Sequence, residues 1–148
     1  MGDKTSEAKA VMLPKRRIIL IEDEPVMWEI FEIWLRQWFQ NFELLKFDDG
    51  DKAWAEISRQ SPDLLIMDWE HPGMHGREIF EKLVEKKVKF PLIVSSGMVK
   101  LESGVTSFTT FGFKVGFLSK PFKKDQFWRQ LSEFFGPSDF PKNQITPA

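Results

Sequence analysis

Short apolar runs alternate with amphipathic stretches along most of the chain. Continuous apolar runs lie at residues 18–21, 64–67, 92–94 and 117–118, and residues 43–47 form a mixed run. Runs without polar alternation are typical of parallel strands covered on both faces, whereas a mixed run is typical of an edge strand. The pattern therefore predicts four buried strands and a fifth strand at an edge of the sheet.

Helical patterns fill the intervals between the predicted strands. The first helix begins near Pro25, a residue that suits a first helical turn. Its core face contains Met27, Ile30, Phe31, Trp34 and Trp38. Further helices are predicted over residues 51–59, 76–87 and about 124–135. Residues 98–111 contain glycine, valine and threonine, which are poor helix formers, so we predict a short irregular element where a fourth helix belongs.

This alternation of strands and helices predicts an α/β fold with a doubly wound parallel sheet. We expect one folded domain over residues 16–135, a flexible N-terminal segment at 1–15 and a proline-containing tail at 136–148. Neither end is expected to hold a second domain, because a unit of under roughly 40 residues rarely folds unaided.

The charge balance and the lengths of the apolar runs argue against two kinds of partner, nucleic acid and membrane. Lys and Arg total 21 and Asp and Glu total 22, so the basic footprint of a nucleic-acid-binding protein is missing. No apolar run approaches the roughly 18 residues that a membrane span needs. The chain has no cysteine, which excludes disulfides, thiolate metal sites and cysteine nucleophiles and is compatible with a reducing compartment. We expect a cytoplasmic protein that binds neither nucleic acid nor membrane.

Polar residues follow the predicted strands, at the edge where doubly wound sheets bind their ligands. They are Glu22-Asp23-Glu24, Asp68-Trp69-Glu70, Ser95-Ser96-Gly97 and Ser119-Lys120-Pro121. Each taken singly is more often a helix cap or a solvated charge. Several carboxylates crowded together raise one another's pKa, and a divalent cation with a preference for oxygen ligands, such as Mg²⁺, removes that repulsion.

Four segments in this order resemble the receiver domain of two-component response regulators, with a chemotaxis-regulator-like pattern. They are residues 19–25 (ILIEDEP), 63–76 (DLLIMDWEHPGMHG), 91–97 (PLIVSSG) and 117–122 (FLSKPF). The resemblance covers residues 16–135. It implies the flavodoxin-like (βα)5 fold, a five-stranded parallel sheet in the order 2-1-3-4-5.

The resemblance also implies a metal site beside a nucleophile. Asp68 would accept a phosphoryl group from a histidine kinase or a histidine phosphotransfer protein. Asp23 and Asp68 would bind Mg²⁺ directly, with the backbone carbonyl of Glu70 as a third protein ligand and Glu22 acting through metal-bound water.

Two further residues would contact the phosphoryl group. Lys120 would meet its oxygens as a point charge, and Ser96 would donate a hydroxyl hydrogen bond. In the family this serine and an aromatic ring on the fifth strand, here Phe117, form the switch between two states. The Lys120–Pro121 bond is cis in the family.

Two histidines, His71 and His75, depart from the family's pattern. With Glu70 they could form a metal cluster, but we favour a polar turn built on Pro72 and Gly73, which suits type II geometry. Because Glu70 flanks the predicted site, we also hypothesise that it affects phosphoryl lifetime by steering or repelling water.

Apolar residues outside the predicted core faces indicate two contact surfaces. On the first helix, which faces the histidine-containing partner in the family, the candidates are Trp28, Leu35 and Phe39. The family's output or dimer face consists of the fourth helix, fifth strand and fifth helix. Here it would contain Phe108, Phe111, Phe113, Trp128 and Phe135. A homodimer or an unidentified downstream protein would use that face. The alternative is that these side chains pack against the two chain ends.

We therefore expect a single-domain, Mg²⁺-dependent phosphoacceptor that signals by protein contact. It would not be an enzyme, beyond autophosphorylation from small donors and autodephosphorylation. One alternative is a receiver-like interaction module that is not phosphorylated. Another is a phosphohydrolase that uses Asp68 as nucleophile. Haloacid-dehalogenase-like hydrolases carry a second aspartate two residues after the first, and here that position is Glu70.

Overall fold

The computed structural model of the chain describes residues 15–97, 104–106 and 112–136. Its strands are β1 (Arg16–Ile21), β2 (Phe42–Phe47), β3 (Leu64–Asp68), β4 (Leu92–Ser96), β5 (Gly104–Thr106) and β6 (Val115–Ser119). Its helices are α1 (Pro25–Trp38), α2 (Gly50–Arg59), α3 (Gly76–Glu85) and α4 (Lys124–Phe134). In this part of the chain, no helix has both the length and the apolar character needed to cross a bilayer.

The strands form one sheet in the order β2-β1-β3-β4-β6-β5. The first five strands in this order are parallel to their neighbours, which confirms the predicted 2-1-3-4-5 arrangement with β6 as the fifth parallel strand. The mixed strand β2 lies at one edge, as its sequence pattern predicts.

The opposite edge holds β5, a three-residue strand antiparallel to β6. It lies within the segment 98–111, where the sequence predicts an irregular element in place of a regular helix. Val105 and Thr106 are β-branched, which favours extended backbone over helix. Residues 98–103 and 107–111 lie outside the described part of the chain.

The core consists of two layers, one on each face of the sheet. Side chains alternate along β1, so that Ile18 and Leu20 pack with α1 and α4, and Ile19 and Ile21 pack with α2 and α3. All four side chains are fully buried. Residues 18–21 have no solvent-facing position because both faces of the strand are covered there, which explains their continuous apolar run.

Contacts between α1 and α4 correct part of both predicted surfaces. Leu35, Phe39 and Trp128 are 0%, 3% and 4% exposed. The rings of Trp38 and Trp128 lie 5.2 Å apart, and those of Phe39 and Phe135 lie 5.1 Å apart. The prediction that Leu35, Phe39 and Trp128 form partner surfaces is therefore wrong. The two helices lie side by side on the sheet, so the second apolar stripe of α1 is covered by α4.

The other predicted surface residues have different outcomes. Phe113 is fully buried on the opposite face of the sheet, 6.1 Å from the ring of Phe80, so its predicted surface role is also wrong. Trp28 and Phe135 are partly buried against the core cluster of α1 and α4. Phe108 and Phe111, also named for the output face, lie outside the described residues.

The C-terminus of α3 holds one residue in an unfavourable conformation. Lys87 has a φ of +55°, in the left-handed region that favours glycine. Its backbone N–H donates to the carbonyl of Val84, and the N–H of Val88 donates to that of Leu83. These two bonds form a Schellman motif, in which glycine is the usual residue at the position of Lys87.

We expect Lys87→Gly to raise the free energy of unfolding by roughly 0.5–1 kcal/mol, because glycine relieves the backbone strain. Urea denaturation would measure the change. Lys86→Gly is the matched control, since Lys86 has a φ of −81° and gains nothing from glycine there. The prediction fails if Lys87→Gly is no more stable than the wild type.

Candidate functional site

The carboxyl ends of β1, β3, β4 and β6 meet at one edge of the sheet. Because these strands are parallel, each delivers the residues that end or follow it to the same edge. Asp68 lies opposite Ser95, and Ser96 lies opposite Ser119, one residue before Lys120. Glu22 follows β1 directly. Its backbone N–H donates a hydrogen bond to the carbonyl of Phe47 across 2.9 Å, which fixes its position.

Three carboxylates gather at this edge. Glu22, Asp23 and Asp68 each offer an oxygen atom, and these atoms all lie within 4.8 Å of one another. Glu22 and Asp68 are buried and Asp23 is exposed. Among the described residues this is the group of acidic and histidine side chains that can hold a metal ion. Its oxygen donors suit a hard cation such as Mg²⁺.

Lys120 lies between the two buried carboxylates. Its Nζ is 3.0 Å from Oδ2 of Asp68 and 3.2 Å from Oε2 of Glu22. Its backbone N–H donates to the carbonyl of Ser96 across 2.9 Å, which fixes the end of β6 against β4. The Lys120–Pro121 peptide bond is cis, as the family resemblance implies. One ammonium thus contacts the proposed nucleophile and its acidic neighbour together.

Burial and charge both shift the pKa values of this group. Burial raises the pKa of Glu22 to about 7, and the nearby charge of Asp68 adds to the rise. Burial also raises the pKa of Asp68, although Lys120 opposes the shift. Burial alone would lower the pKa of Lys120, but its contacts with the two carboxylates outweigh that effect and raise it. When Glu22 and Asp68 are both ionised, the single positive charge of Lys120 therefore only partly offsets their two negative charges.

Ser96 and Glu70 form a contact that the sequence does not predict. The Ser96 hydroxyl donates a hydrogen bond to Oε1 of Glu70. The backbone N–H of Glu70 donates a hydrogen bond to Oδ1 of Asp68 across 3.3 Å. After burial and the opposing effect of Lys120, the Glu70 side chain is a further influence that raises the pKa of Asp68. Glu70 therefore contacts both Ser96 and Asp68, the proposed phosphoacceptor.

Trp28 also has a role at the site that the sequence does not reveal. Its indole N–H donates to the backbone carbonyl of Glu22 across 2.6 Å. The N–H of Glu24 donates to Oε1 of Glu22 across 3.2 Å. The acidic loop is thus tied to the first turns of α1. The sequence shows only an aromatic residue early in α1, and such a residue is equally typical of a core or a surface position.

The loop after Asp68 contains both histidines. His75 caps α3, because its Nδ1 accepts the backbone N–H of Arg77 across 3.2 Å. Nδ1 of His71 is 3.2 Å from the carbonyl oxygen of Pro72. Gly73 has a φ of +78°, as the third position of a type II turn requires. These contacts support the predicted polar turn, and the alternative metal cluster of Glu70 and the histidines is not among the metal-binding groups of the described residues.

Tight backbone contacts hold this loop in place. The N–H of Gly50 donates to the carbonyl of Pro72 across 2.9 Å, and a Cβ at Gly50 would lie 2.0 Å from the carbonyl oxygen of Met74. A Cβ at Gly76 would lie 2.7 Å from the carbonyl oxygen of Trp69. Any larger residue would push the loop away from α2 and α3, so these glycines determine where the chain after Asp68 can run.

Phe117 occupies the predicted switch position on β6. It lies opposite Val94 of β4 and Gly104 of β5. Its side chain is partly exposed and packs against the core layer of α2 and α3. Its role as a switch stays a prediction.

Comparison with known proteins gives one family. The model of the response regulator receiver domain matches residues 18–132. The cell cycle response regulator CtrA of Brucella ovis is 30% identical over 111 residues, which are 74% of this chain and 46% of that protein. The chain thus spans about half the length of the curated relatives that it matches.

Two solved structures show the same fold. The receiver domain of a sensor histidine kinase from Pseudomonas aeruginosa is 23% identical, with a TM-score of 0.63 over 82% of this chain and 98% of that one. That domain was solved with a magnesium ion coordinated in its active-site cleft. A CheY-like receiver domain from Methylobacillus flagellatus is 19% identical, with a TM-score of 0.61 over 82% of this chain and 100% of that one.

The family match covers most of the chain and agrees with the parallel sheet order found in the structure. The chain belongs to the response regulator receiver domain family, a family of two-component signalling domains.

Proposed function

We propose that this protein is a phosphoacceptor in two-component signalling. Asp68 accepts a phosphoryl group from a histidine kinase or a histidine phosphotransfer protein in a Mg²⁺-dependent reaction. The phosphorylated protein then signals by contact with a downstream protein. The observation that supports this most directly is Lys120, which contacts both Asp68 and Glu22 within a group of carboxylates that can hold a metal.

The donor set fits Mg²⁺. Asp23 and Asp68 would bind the ion directly, the backbone carbonyl of Glu70 would be a third protein ligand, and Glu22 would act through metal-bound water. The fit rests on charge, because three carboxylates cluster here, the ammonium of Lys120 contacts only Glu22 and Asp68 among them, and the pKa of Glu22 is raised to about 7. When bound, the ion supplies positive charge that offsets the negative charge of a phosphoryl group.

The transfer step follows from these positions. A carboxylate oxygen of Asp68 forms a bond to phosphorus while the bond from phosphorus to the donor histidine nitrogen breaks. That nitrogen keeps the electron pair and then takes a proton from solvent. Lys120, already in contact with Asp68, is placed to offset charge on the transferred oxygens. In the later hydrolysis, water forms the new bond to phosphorus while the bond from phosphorus to the Asp68 oxygen breaks. That oxygen keeps the electron pair, which restores the Asp68 carboxylate and releases inorganic phosphate.

Phosphoryl uptake can be tested by intact-mass measurement after treatment with acetyl phosphate and Mg²⁺. We expect one added HPO₃ unit on the wild type and none on Asp68→Asn, because the amide removes the nucleophilic oxygen. Asp51→Asn is the matched control at an exposed carboxylate of α2 and should still take up the group.

Each other outcome of that experiment identifies an alternative. The same adduct on Asp68→Asn would overturn the assignment of the nucleophile. An absence of adduct on the wild type would favour an unphosphorylated interaction module. An absent adduct together with the release of many equivalents of phosphate, measured in a parallel phosphate assay, would instead favour a phosphohydrolase.

The raised pKa of Glu22 predicts a pH-dependent stability in Mg²⁺-free buffer. The pKa is about 7 in the folded protein, against 4.5 for an unperturbed glutamate, so between these values the folded state binds more protons than the unfolded state. The free energy of unfolding should therefore fall as the pH rises from about 4.5 to about 7, and Asp68 shifts in the same direction.

Urea denaturation at several pH values would measure this slope. Saturating Mg²⁺ should reduce it, because the cation stabilises the ionised carboxylates. Glu22→Gln should flatten the profile, whereas Glu24→Gln, at an exposed neighbour, should leave it unchanged. Identical slopes for the wild type and Glu22→Gln would contradict the prediction.

Lys120→Met should separate cation binding from phosphoryl transfer. Without the ammonium, the carboxylates attract Mg²⁺ more strongly, so the Kd for Mg²⁺ should fall severalfold. Phosphoryl uptake from acetyl phosphate should slow by roughly a hundredfold, the usual effect of removing one charge-stabilising group. Tryptophan fluorescence would follow Mg²⁺ binding, and intact mass would follow uptake. Lys15→Met is the control, and weaker Mg²⁺ binding by Lys120→Met would contradict the prediction.

A further inference from the structure

Glu70 and Ser96 link the ends of two neighbouring strands. Ser96 is the last residue of β4, and Glu70 lies two residues after the end of β3. The N–H of Trp69 donates to the carbonyl of Ser95 across 2.8 Å, which keeps the two segments side by side. Ser96 is 1% exposed, and its hydroxyl donates to the Glu70 carboxylate. The contact thus joins two segments whose backbones are hydrogen-bonded to each other.

A serine hydroxyl has a single proton to donate. While that proton is shared with Glu70, it is not available to a phosphoryl group on Asp68. Glu70 also lies close to Asp68, since its backbone N–H donates to Oδ1 of Asp68 across 3.3 Å. A phosphoryl group on Asp68 would bring nearly two negative charges, which repel the Glu70 carboxylate. Formation of the phosphorylated state and retention of the Glu70 hydrogen bond therefore oppose one another.

We propose that Glu70 is a positioning residue. It holds the Ser96 hydroxyl away from Asp68 until a phosphoryl group on Asp68 replaces Glu70 as the acceptor of the Ser96 hydrogen bond. This inference rests on the proposed function and adds a control on how readily the site is phosphorylated. It differs from an effect on water, because it acts through Ser96. An effect of Glu70 on water or on charge alone would persist in a protein without the serine hydroxyl.

The test compares phosphoryl uptake from acetyl phosphate at fixed Mg²⁺ in two backgrounds, the wild type and Ser96→Ala. Glu70→Gln removes the charge but keeps an oxygen that accepts from Ser96, whereas Glu70→Ala removes both. The ratio of uptake rates for Glu70→Ala over Glu70→Gln therefore isolates the hydrogen bond. We expect a ratio of about three to ten with Ser96 present, the range of one ordinary hydrogen bond, and a ratio near one in the Ser96→Ala background.

The same ratio in both backgrounds, or a Glu70→Ala variant no faster than Glu70→Gln, would overturn this inference and leave the proposed function intact. Failure of the wild type to take up a phosphoryl group would instead remove the proposed function, and this inference with it.

The resting contact itself can be measured without phosphoryl chemistry. A double-mutant cycle of Glu70→Ala and Ser96→Ala, followed by urea unfolding, should show that the two substitutions together destabilise the protein less than the sum of their single effects. Additive effects would show that the side chains do not interact and would overturn the inference regardless of the uptake rates.

Discussion

The contacts of Lys120 with Glu22 and Asp68 are the interaction on which the site depends. Burying two carboxylates is costly unless a positive charge lies beside them, and here one ammonium contacts both. The same contacts join the ends of β1, β3 and β6. Because one ammonium only partly offsets the acids, the site remains favourable for a further cation. The cohesion of the strand ends and the proposed binding of Mg²⁺ therefore have the same electrostatic origin.

The sheet fixes the positions of these charged side chains relative to one another. β1, β3 and β4 are buried on both faces, so the strand ends that carry the site residues are held by packing from two layers. The loops beyond them are restrained by specific contacts, among them the Trp28 indole on the carbonyl of Glu22 and the close approach of Gly50 to Met74. In the function proposed above, a phosphoryl group on Asp68 would lie among these restrained strand ends and would compete with Glu70 for the Ser96 hydroxyl.

Much of this arrangement was predictable from the chain. The apolar runs predict the parallel strands, and the acidic residues and lysine that follow them predict a shared site, because the carboxyl ends of parallel strands meet at one edge. The surface prediction for Leu35 and Trp128 failed for an equally physical reason. Helical periodicity shows which side chains of one helix lie together, but not that α4 covers a second stripe of α1.

The sequence by itself therefore determined the order of strands and helices, the chemistry at the end of each strand and the family to which they point, since these depend on local pattern and chain order. The tertiary structure alone decided that Lys120 contacts Glu22 and Asp68 together, that Trp28 restrains the acidic loop and that Ser96 donates to Glu70. Most of these contacts join residues far apart in the chain, and all depend on side-chain orientations that only the packed elements select.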